Sequence, residues 1–138
     1  MSQFLLDTHV VSEMRKPRPH GGVLAWLAAA EQDDLLVPVV ALAELQAGAE
    51  ITRLQDSAKA LEIEIWIEKI AATFQVVSMD GNCFREWARL MHGQSDSLYE
   101  DAMIAATARV HGLTVVTRNE RDFSTLMVPV FNPFSHRS

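Results

Sequence analysis

Five short apolar runs punctuate the chain, at residues 4–6, 35–38, 75–79, 113–117 and 128–131. Each run is too short for a helix, so each predicts a buried β-strand. Apolar residues between the runs recur at helical spacing, at residues 8–14, 23–30, 40–49, 56–72, 81–92 and 102–111. Residues 123–127 are predicted to be a plain connection. Alternating strands and helices indicate an α/β fold, with helices covering both faces of a parallel sheet of about four to five strands.

One helix and the strand after it predict where polar side chains gather. The helix is rich in small alanines that allow close packing on a sheet, and Gly112 suits its C-terminal stop. Asp101 lies in its first turn, while Asn119 and Asp122 follow the next strand. A helix that packs on a parallel sheet runs antiparallel to the strands, so its first turn lies at their carboxyl ends. These polar residues are therefore expected on that rim, where open α/β sheets bind ligands.

Two more acidic residues are expected on the same rim. Asp7 directly follows the first strand. Glu44 lies early in the helix after the second strand, and its neighbours in the sequence are mostly apolar. Each has a structural alternative: Asp7 could cap a short helix, and Glu44 could be an exposed helix carboxylate. Likewise, Asn119 and Asp122 could simply cap a short following helix, as an N-cap with an acid at N3.

Clustered carboxylates repel one another, so such a rim is expected to hold a cation. Neither histidine nor cysteine joins the acids at ligand spacing, and ligands that are all oxygen favour Mg²⁺ or Mn²⁺ over Zn²⁺. A hard ion held by a few carboxylates binds phosphate oxygens and activates water. Phosphodiester hydrolysis is the chemistry that this pattern favours.

Composition and net charge limit the kinds of partner that the chain can bind. The 138 residues fit one domain, 1–138, and their 49% hydrophobic content supports a sizeable core. A net charge of −6 argues against broad attraction to nucleic acid, so a polyanion would need a local basic patch. The best candidate is the loop at 15–22, with Arg15, Lys16 and Arg18, although a solvated loop is the simpler alternative.

Other features of the sequence concern the cellular compartment of the protein and the surface of one helix. The lone cysteine, Cys83, favours a reducing compartment, and Asp7 interrupts the apolar start, so no secretory signal is expected. The apolar run at 35–43 is about half a membrane span, which predicts a soluble cytoplasmic protein without a membrane partner. The helix at 56–72 is apolar over a wide arc, which packing within the domain or a partner could cover.

Four motifs carry a family resemblance. They are L-L-D-T-H-V-V-S-E at 5–13, A-E-L-Q-A-G at 43–48, E-D-A-M-I-A-A-T-A at 100–108 and L-T-V-V-T-R-N at 113–119. In their order and spacing, and in F-N-P-F at 131–134, the chain resembles the PIN-domain family and, within it, the FitB-like branch of VapC toxins. The resemblance implies a three-layer α/β/α fold and a Mg²⁺- or Mn²⁺-dependent endoribonuclease, commonly a homodimer, that a cognate antitoxin neutralises and that reaches DNA only through it.

The resemblance also assigns roles to residues. It implies that Asp7, Glu44 and Asp101 are metal ligands. The family's fourth acidic position holds Asn119 here, and Asp122 could supply the missing charge through water. We expect supporting roles in the acidic site for Thr8, Thr117 and Asn119. Binding of RNA phosphates is expected of five basic residues: Arg15, Lys16, Arg18, Arg118 and Arg121.

The missing carboxylate keeps a second class of function open. The chain could be an inactive PIN-like subunit that acts with an antitoxin in a DNA-regulating complex. A flavodoxin-like nucleotide or receiver domain is disfavoured, because no glycine-rich phosphate loop follows the first strand.

Overall fold

Five parallel strands form the centre of the structure, a computed structural model that describes residues 2–135. Met1 and residues 136–138, which the predicted domain 1–138 includes, lie outside the described part. The strands are β1 (Phe4–Leu6), β2 (Leu35–Pro38), β3 (Gln75–Val77), β4 (Thr114–Val116) and β5 (Val130–Phe131). Their order is β3-β2-β1-β4-β5, with every neighbouring pair parallel. The central β1 therefore carries Asp7 to the middle of the carboxyl edge.

Between residues 2 and 135, seven α-helices connect and cover these strands. They are α1 (Thr8–Glu13), α2 (Gly21–Ala29), α3 (Val39–Arg53), α4 (Ser57–Thr73), α5 (Gly81–Met91), α6 (Tyr99–His111) and α7 (Glu120–Thr125). Short 3₁₀ turns occupy Gln32–Asp34, Asp96–Leu98 and Pro133–Ser135. The α/β architecture with a parallel sheet of about four to five strands, expected from alternating patterns, is confirmed.

The two faces of the sheet carry separate apolar cores. Because side chains alternate along a strand, Leu5 and Val115 enter one core while their neighbours Leu6 and Val116 enter the other. The first core is completed by α5, α6 and α7, and the second by α1, α2 and α4, while α3 contributes Val40 to the first and Ala41 to the second. This gives the three layers that the resemblance implied.

The helix α6 packs as its composition predicts. Its alanines at 102, 105, 106 and 108 are fully buried, so the helix lies close against the sheet. Gly112 ends it with φ 68°, a left-handed conformation that glycine adopts without the steric cost of a Cβ. The first turn of α6 therefore has a fixed position at the carboxyl rim.

Two predicted boundaries are wrong. Residues 123–127 were expected to form a connection, but α7 covers Glu120–Thr125 and buries Phe123 completely. Burial of that one large side chain stabilises a helix too short to show periodicity. The loop at 15–22 also ends early, because the His20 ring nitrogen accepts hydrogen bonds from Gly22 and Val23 and so starts α2 at Gly21.

The apolar arc predicted on α4 is divided between core and surface. Ile63, Ile67 and Ile70 are buried, whereas Leu61 and Ile65 are exposed. Packing within the domain therefore covers only part of the arc. Within residues 2–135, no helix is long and apolar enough to cross a membrane.

Candidate active site

Asp7 stands at the centre of the carboxyl rim, buried immediately after β1. Its backbone N–H donates to the Val116 carbonyl at 2.9 Å, which continues the sheet pairing by one residue. Asp7 occupies the N-cap position of α1, but its Oδ2 accepts from Thr117 Oγ1, at 2.8 Å, instead of from the helix backbone. The helix-cap alternative therefore explains the position of Asp7 in the chain. It does not explain the hydrogen bond that the Asp7 side chain accepts from Thr117.

The buried Thr117 hydroxyl has both of its hydrogen-bonding roles assigned. It accepts from the Asn119 backbone N–H at 2.9 Å and donates its only proton to Asp7 Oδ2. The hydroxyl proton therefore favours a carboxylate at Asp7 and holds it in one orientation.

Glu44 reaches the same rim from the first half of α3. Its Oε1 accepts a hydrogen bond of 2.7 Å from Thr8 Oγ1 at the start of α1. Glu44 is partly buried, and this burial raises its pKa; the nearby charges of Asp7 and Glu100 raise it further. The exposed-carboxylate alternative does not fit this environment.

Asp101, in the first turn of α6, faces the segment that follows β4. Asn119 Nδ2 donates to Asp101 Oδ2 at 3.2 Å and to Asp122 Oδ2 at 2.8 Å, so this one amide bridges two carboxylates. Asn119 does hold the N-cap position of α7, as the structural alternative supposed. Its side chain nevertheless turns toward the acids rather than the helix backbone.

The carboxylates on the rim repel one another. Burial is the main cause that raises the pKa of Asp101, and the charges of Asp7, Asp122 and Glu44 raise it further. Together they bring this pKa to about 6. Burial also raises the pKa of Asp7, against the opposing effects of the Thr117 hydrogen bond and the His9 charge. Ionised acids at these positions therefore cost folding free energy, which a bound cation would offset.

The carboxylate oxygens on the rim fit a hard cation that keeps part of its water shell. Among residues 2–135, no three acidic, histidine or cysteine side chains converge as a ready-made metal cage. Mg²⁺ does not need such a cage, because it usually takes one or two carboxylates and keeps several waters. Asp7 and Asp101, with Glu44 beside them, supply that kind of oxygen-only rim.

The raised pKa of Asp101 predicts a pH-dependent stability of the metal-free protein. Stability from this group is complete below its unfolded pKa, near 4, and is lost as pH rises through about 6. In chelator at pH 7, Asp101→Asn should therefore melt at a higher temperature than wild type, and the gap should narrow below pH 6 and close near pH 4. Thermal melts across this range measure the gap, and the exposed Glu62→Gln serves as control. An equal gap at every pH would contradict the assignment.

The comparisons with known proteins agree with this geometry. The PIN domain model matches residues 4–126, which is most of the chain. The chain belongs to the PIN-domain family. It is 33% identical to toxin FitB of Neisseria gonorrhoeae, over 94% of this chain and 97% of that protein. It is also 33% identical to VapC ribonuclease Y4jK of Sinorhizobium fredii, over 94% and 96% of the two chains.

A solved structure of FitAB bound to a DNA fragment shares the same fold. Its matching chain superposes with a TM-score of 0.84 at 30% identity, covering 99% of both chains. The resemblance to the FitB-like branch, inferred from motif order, is therefore confirmed, and so is the PIN fold.

The expected RNA-binding residues of this PIN domain differ in how free their charges are. Arg15, Arg18 and Arg121 are exposed, whereas Lys16 forms a salt bridge with the buried Glu13. The Arg118 guanidinium lies over the Phe134 ring, 4.0 Å from its centroid. Lys16 therefore offers less free charge than the loop sequence suggests.

Sequence reasoning missed two residues near the rim. Glu13 Oε1 accepts from the His20 backbone N–H at 2.8 Å, so the buried carboxylate that binds Lys16 also fixes the start of α2. Its position three residues before Lys16 was the available signal. His9 lies close enough for its charge to lower the pKa of Asp7, Glu44 and Asp101. Its position two residues after Asp7 was the available signal.

Proposed function

We propose that this protein is a toxin-like endoribonuclease that uses a divalent metal ion to hydrolyse RNA phosphodiester bonds. The observation that carries the proposal is the gathering of Asp7, Glu44 and Asp101 on one rim, where each has a raised pKa. The 33% identity to a VapC ribonuclease over 94% of the chain supports RNA as the substrate. Cleavage of total RNA by the purified protein, with and without Mg²⁺, tests it.

Each residue has a distinct role in this proposal. Asp7, Glu44 and Asp101 would hold Mg²⁺ or Mn²⁺, which supplies an activated water and neutralises phosphate charge. Asp122 adds a negative charge near Asp101, and the Asn119 amide donates hydrogen bonds to both carboxylates. Supporting hydroxyls orient two of the ligands: Thr8 donates to Glu44, and Thr117 donates to Asp7. Such outer hydrogen bonds fix the direction in which a carboxylate presents its oxygens.

Metal binding should stabilise the protein. An ion that binds only the folded chain raises the free energy of unfolding by roughly 2.7 kcal/mol at 100 times its Kd. Titration calorimetry with Mn²⁺ and melts in Mg²⁺ measure this effect, which Asp101→Asn should reduce and Glu62→Gln should retain. The metal assignment fails if the antitoxin-free protein binds no Mn²⁺ at millimolar concentration.

The basic loop should contribute local attraction to RNA. Replacing Arg15, Lys16 and Arg18 together by alanine is expected to weaken RNA binding and to reduce its salt dependence. Each phosphate contact on a single strand contributes about 0.7 to the slope of log K against log salt, and the pairing of Lys16 with Glu13 limits its share. We therefore expect the slope to fall by about 1 to 2.

A matched variant distinguishes local contacts from net charge. Lys59, Lys69 and Arg85 are exposed on α4 and α5, and their replacement by alanine removes the same charge. It should leave RNA affinity nearly unchanged. Equal losses in the two triple variants would show that only net charge matters.

The proposed assembly follows the family. We propose one domain over 1–138 in the cytoplasm, a homodimer, and a cognate antitoxin through which the protein reaches DNA. The similar FitAB structure with bound DNA supports this arrangement. Size measurement of the chain alone and with the product of an adjacent gene tests both contacts.

One observation favours a second function. Asn119 donates to two carboxylates where the family has an acid, so the site contains one negative charge fewer. A catalytically weak PIN-like subunit that serves in an antitoxin–DNA complex would tolerate this change. The cleavage assay separates the two functions, because only the nuclease requires Mg²⁺-dependent loss of RNA.

A further inference from the structure

A groove of about 410 Å³ opens beside the acidic rim, between α1, α3 and α4. Glu44 and Thr8 line it at the acidic rim, and Ile63 and Trp66 line it from α4. The groove therefore extends outward from the site at which the scissile phosphate would bind. Apart from Glu44 and Thr8, its lining lies outside the carboxylate cluster and includes residues to which the proposed chemistry gives no role, such as Gly48 and Trp66.

Gly48 lines this groove from the middle of α3. Glycine inside a helix is less favourable than alanine, so its presence needs a reason. Apart from the neighbouring backbone, no described heavy atom lies within 4 Å of the place where a Cβ would be. Packing within residues 2–135 therefore does not exclude a side chain. The space that Gly48 leaves open belongs to the groove.

The walls of the groove differ in chemistry. Trp66, partly buried, presents an aromatic wall beside the open space at Gly48. His9, Arg15 and Lys16 also line the groove, on and just after α1. Trp66 offers a surface on which a planar base can stack, and the basic side attracts its phosphate. In a protein with a net charge of −6, such a local basic edge matches an anionic ligand.

We propose that this groove binds one nucleotide of single-stranded RNA next to the scissile phosphate, with its base between Trp66 and Gly48. The inference rests on the proposed nuclease function and adds a subsite for the substrate. Stacking accepts any base, so the groove would select unpaired nucleotides rather than a fixed sequence. A paired base could not enter a groove of this size without leaving its helix.

Substitutions at Gly48 test the proposal without removing any contact. Gly48→Ala and Gly48→Leu place side chains in the open space and improve helix propensity, so the melting temperature should stay equal or rise. Both should weaken binding of a fluorescein-labelled, single-stranded oligoribonucleotide, leucine more than alanine. Binding is measured in Mg²⁺ in the Asp101→Asn background, in which cleavage should be negligible. Ala47→Leu, exposed on the same helix, is the matched control.

Trp66 supplies the second arm of the test. Trp66→Leu should weaken binding of the oligoribonucleotide about tenfold, whereas Trp66→Phe retains a stacking ring and most of the affinity. Trp87→Phe, on α5, should bind as the unaltered protein does. In the active protein, the groove variants should raise KM more than they lower kcat, because the carboxylates remain in place.

The outcomes separate the subsite from the function on which it rests. If the wild type cleaves RNA while Gly48→Leu and Trp66→Leu bind RNA as tightly as Ala47→Leu does, the subsite is wrong and the nuclease stands. If the wild type cleaves no RNA, the function and the subsite fail together. If the groove variants keep RNA affinity and lose the antitoxin instead, the groove is a protein-binding surface and the proposal is overturned.

Discussion

Replacing Asp101 by asparagine should lower divalent-dependent RNA cleavage by roughly 100-fold to 1,000-fold or more, the scale on which one charged group in a catalytic site acts. The change removes one negative charge from the proposed metal site. It leaves a side chain of the same size, whose carbonyl oxygen can still accept from Asn119 Nδ2. Folding and antitoxin binding should therefore survive, as melts and size measurement would show.

A neighbouring acid gives the matched control. Glu100 lies in the same first turn of α6 and is exposed, so Glu100→Gln removes the same charge without removing a proposed ligand; its charge acts on the site only by raising the pKa of Glu44. Its cleavage rate should stay within a few fold of wild type. Equal cleavage by wild type and Asp101→Asn would mean that the activity is a contaminant or lies elsewhere. Failure of both to cleave would favour the binding subunit.

Asn119→Asp addresses the departure from the family pattern. The substitution removes the donor that bridges Asp101 and Asp122 and places a third carboxylate beside them. Without metal, the variant should be less stable because of repulsion. With metal, it should keep or exceed the wild-type activity if this position still serves the site.

The sequence predicted most of the fold because its signals are local. Apolar runs and helical spacing predicted the five strands and six of the seven helices that the structure describes within residues 2–135. The exception, α7, was indicated only by the alternative in which Asn119 and Asp122 cap a short helix, because Phe123 is the only large apolar residue within its bounds. Six residues cannot show a helical period, and burial of Phe123 against the sheet is a tertiary effect.

The sequence predicted which residues reach the carboxyl rim of the sheet. It did not predict the directions or the hydrogen bonds of their side chains. Strand order along the chain placed Asp7, Glu44 and Asp101 on one edge, because parallel strands end together. The direction of each side chain depends on contacts between distant segments, such as Thr117 with Asp7, 110 residues apart. The groove beside Glu44 likewise depends on how α3 and α4 pack. Neither feature leaves a periodic signal in the sequence.

Thr117→Val should reduce both stability and activity, because the hydroxyl serves two partners at once. Valine keeps the shape but leaves the buried Asp7 carboxylate without its donor and the Asn119 N–H without its acceptor. Unpaired buried groups cost about 1–3 kcal/mol of unfolding free energy. Loss of the group that orients a metal ligand typically lowers metal affinity or activity about 10- to 100-fold. Denaturant melts, Mn²⁺ calorimetry and cleavage rates measure the three effects.

A second buried threonine separates orientation from burial. Thr107 is as buried as Thr117, but its Oγ1 donates to the Met103 carbonyl within α6, away from the acids. That carbonyl keeps its helical partner, so Thr107→Val should change stability by less than about 1 kcal/mol and leave cleavage intact. Thr117→Ser, which restores a hydroxyl without the methyl group, should recover metal affinity more fully than stability. If Thr117→Val binds Mn²⁺ as Thr107→Val does, Thr117 stabilises the fold and does not orient Asp7 for the metal.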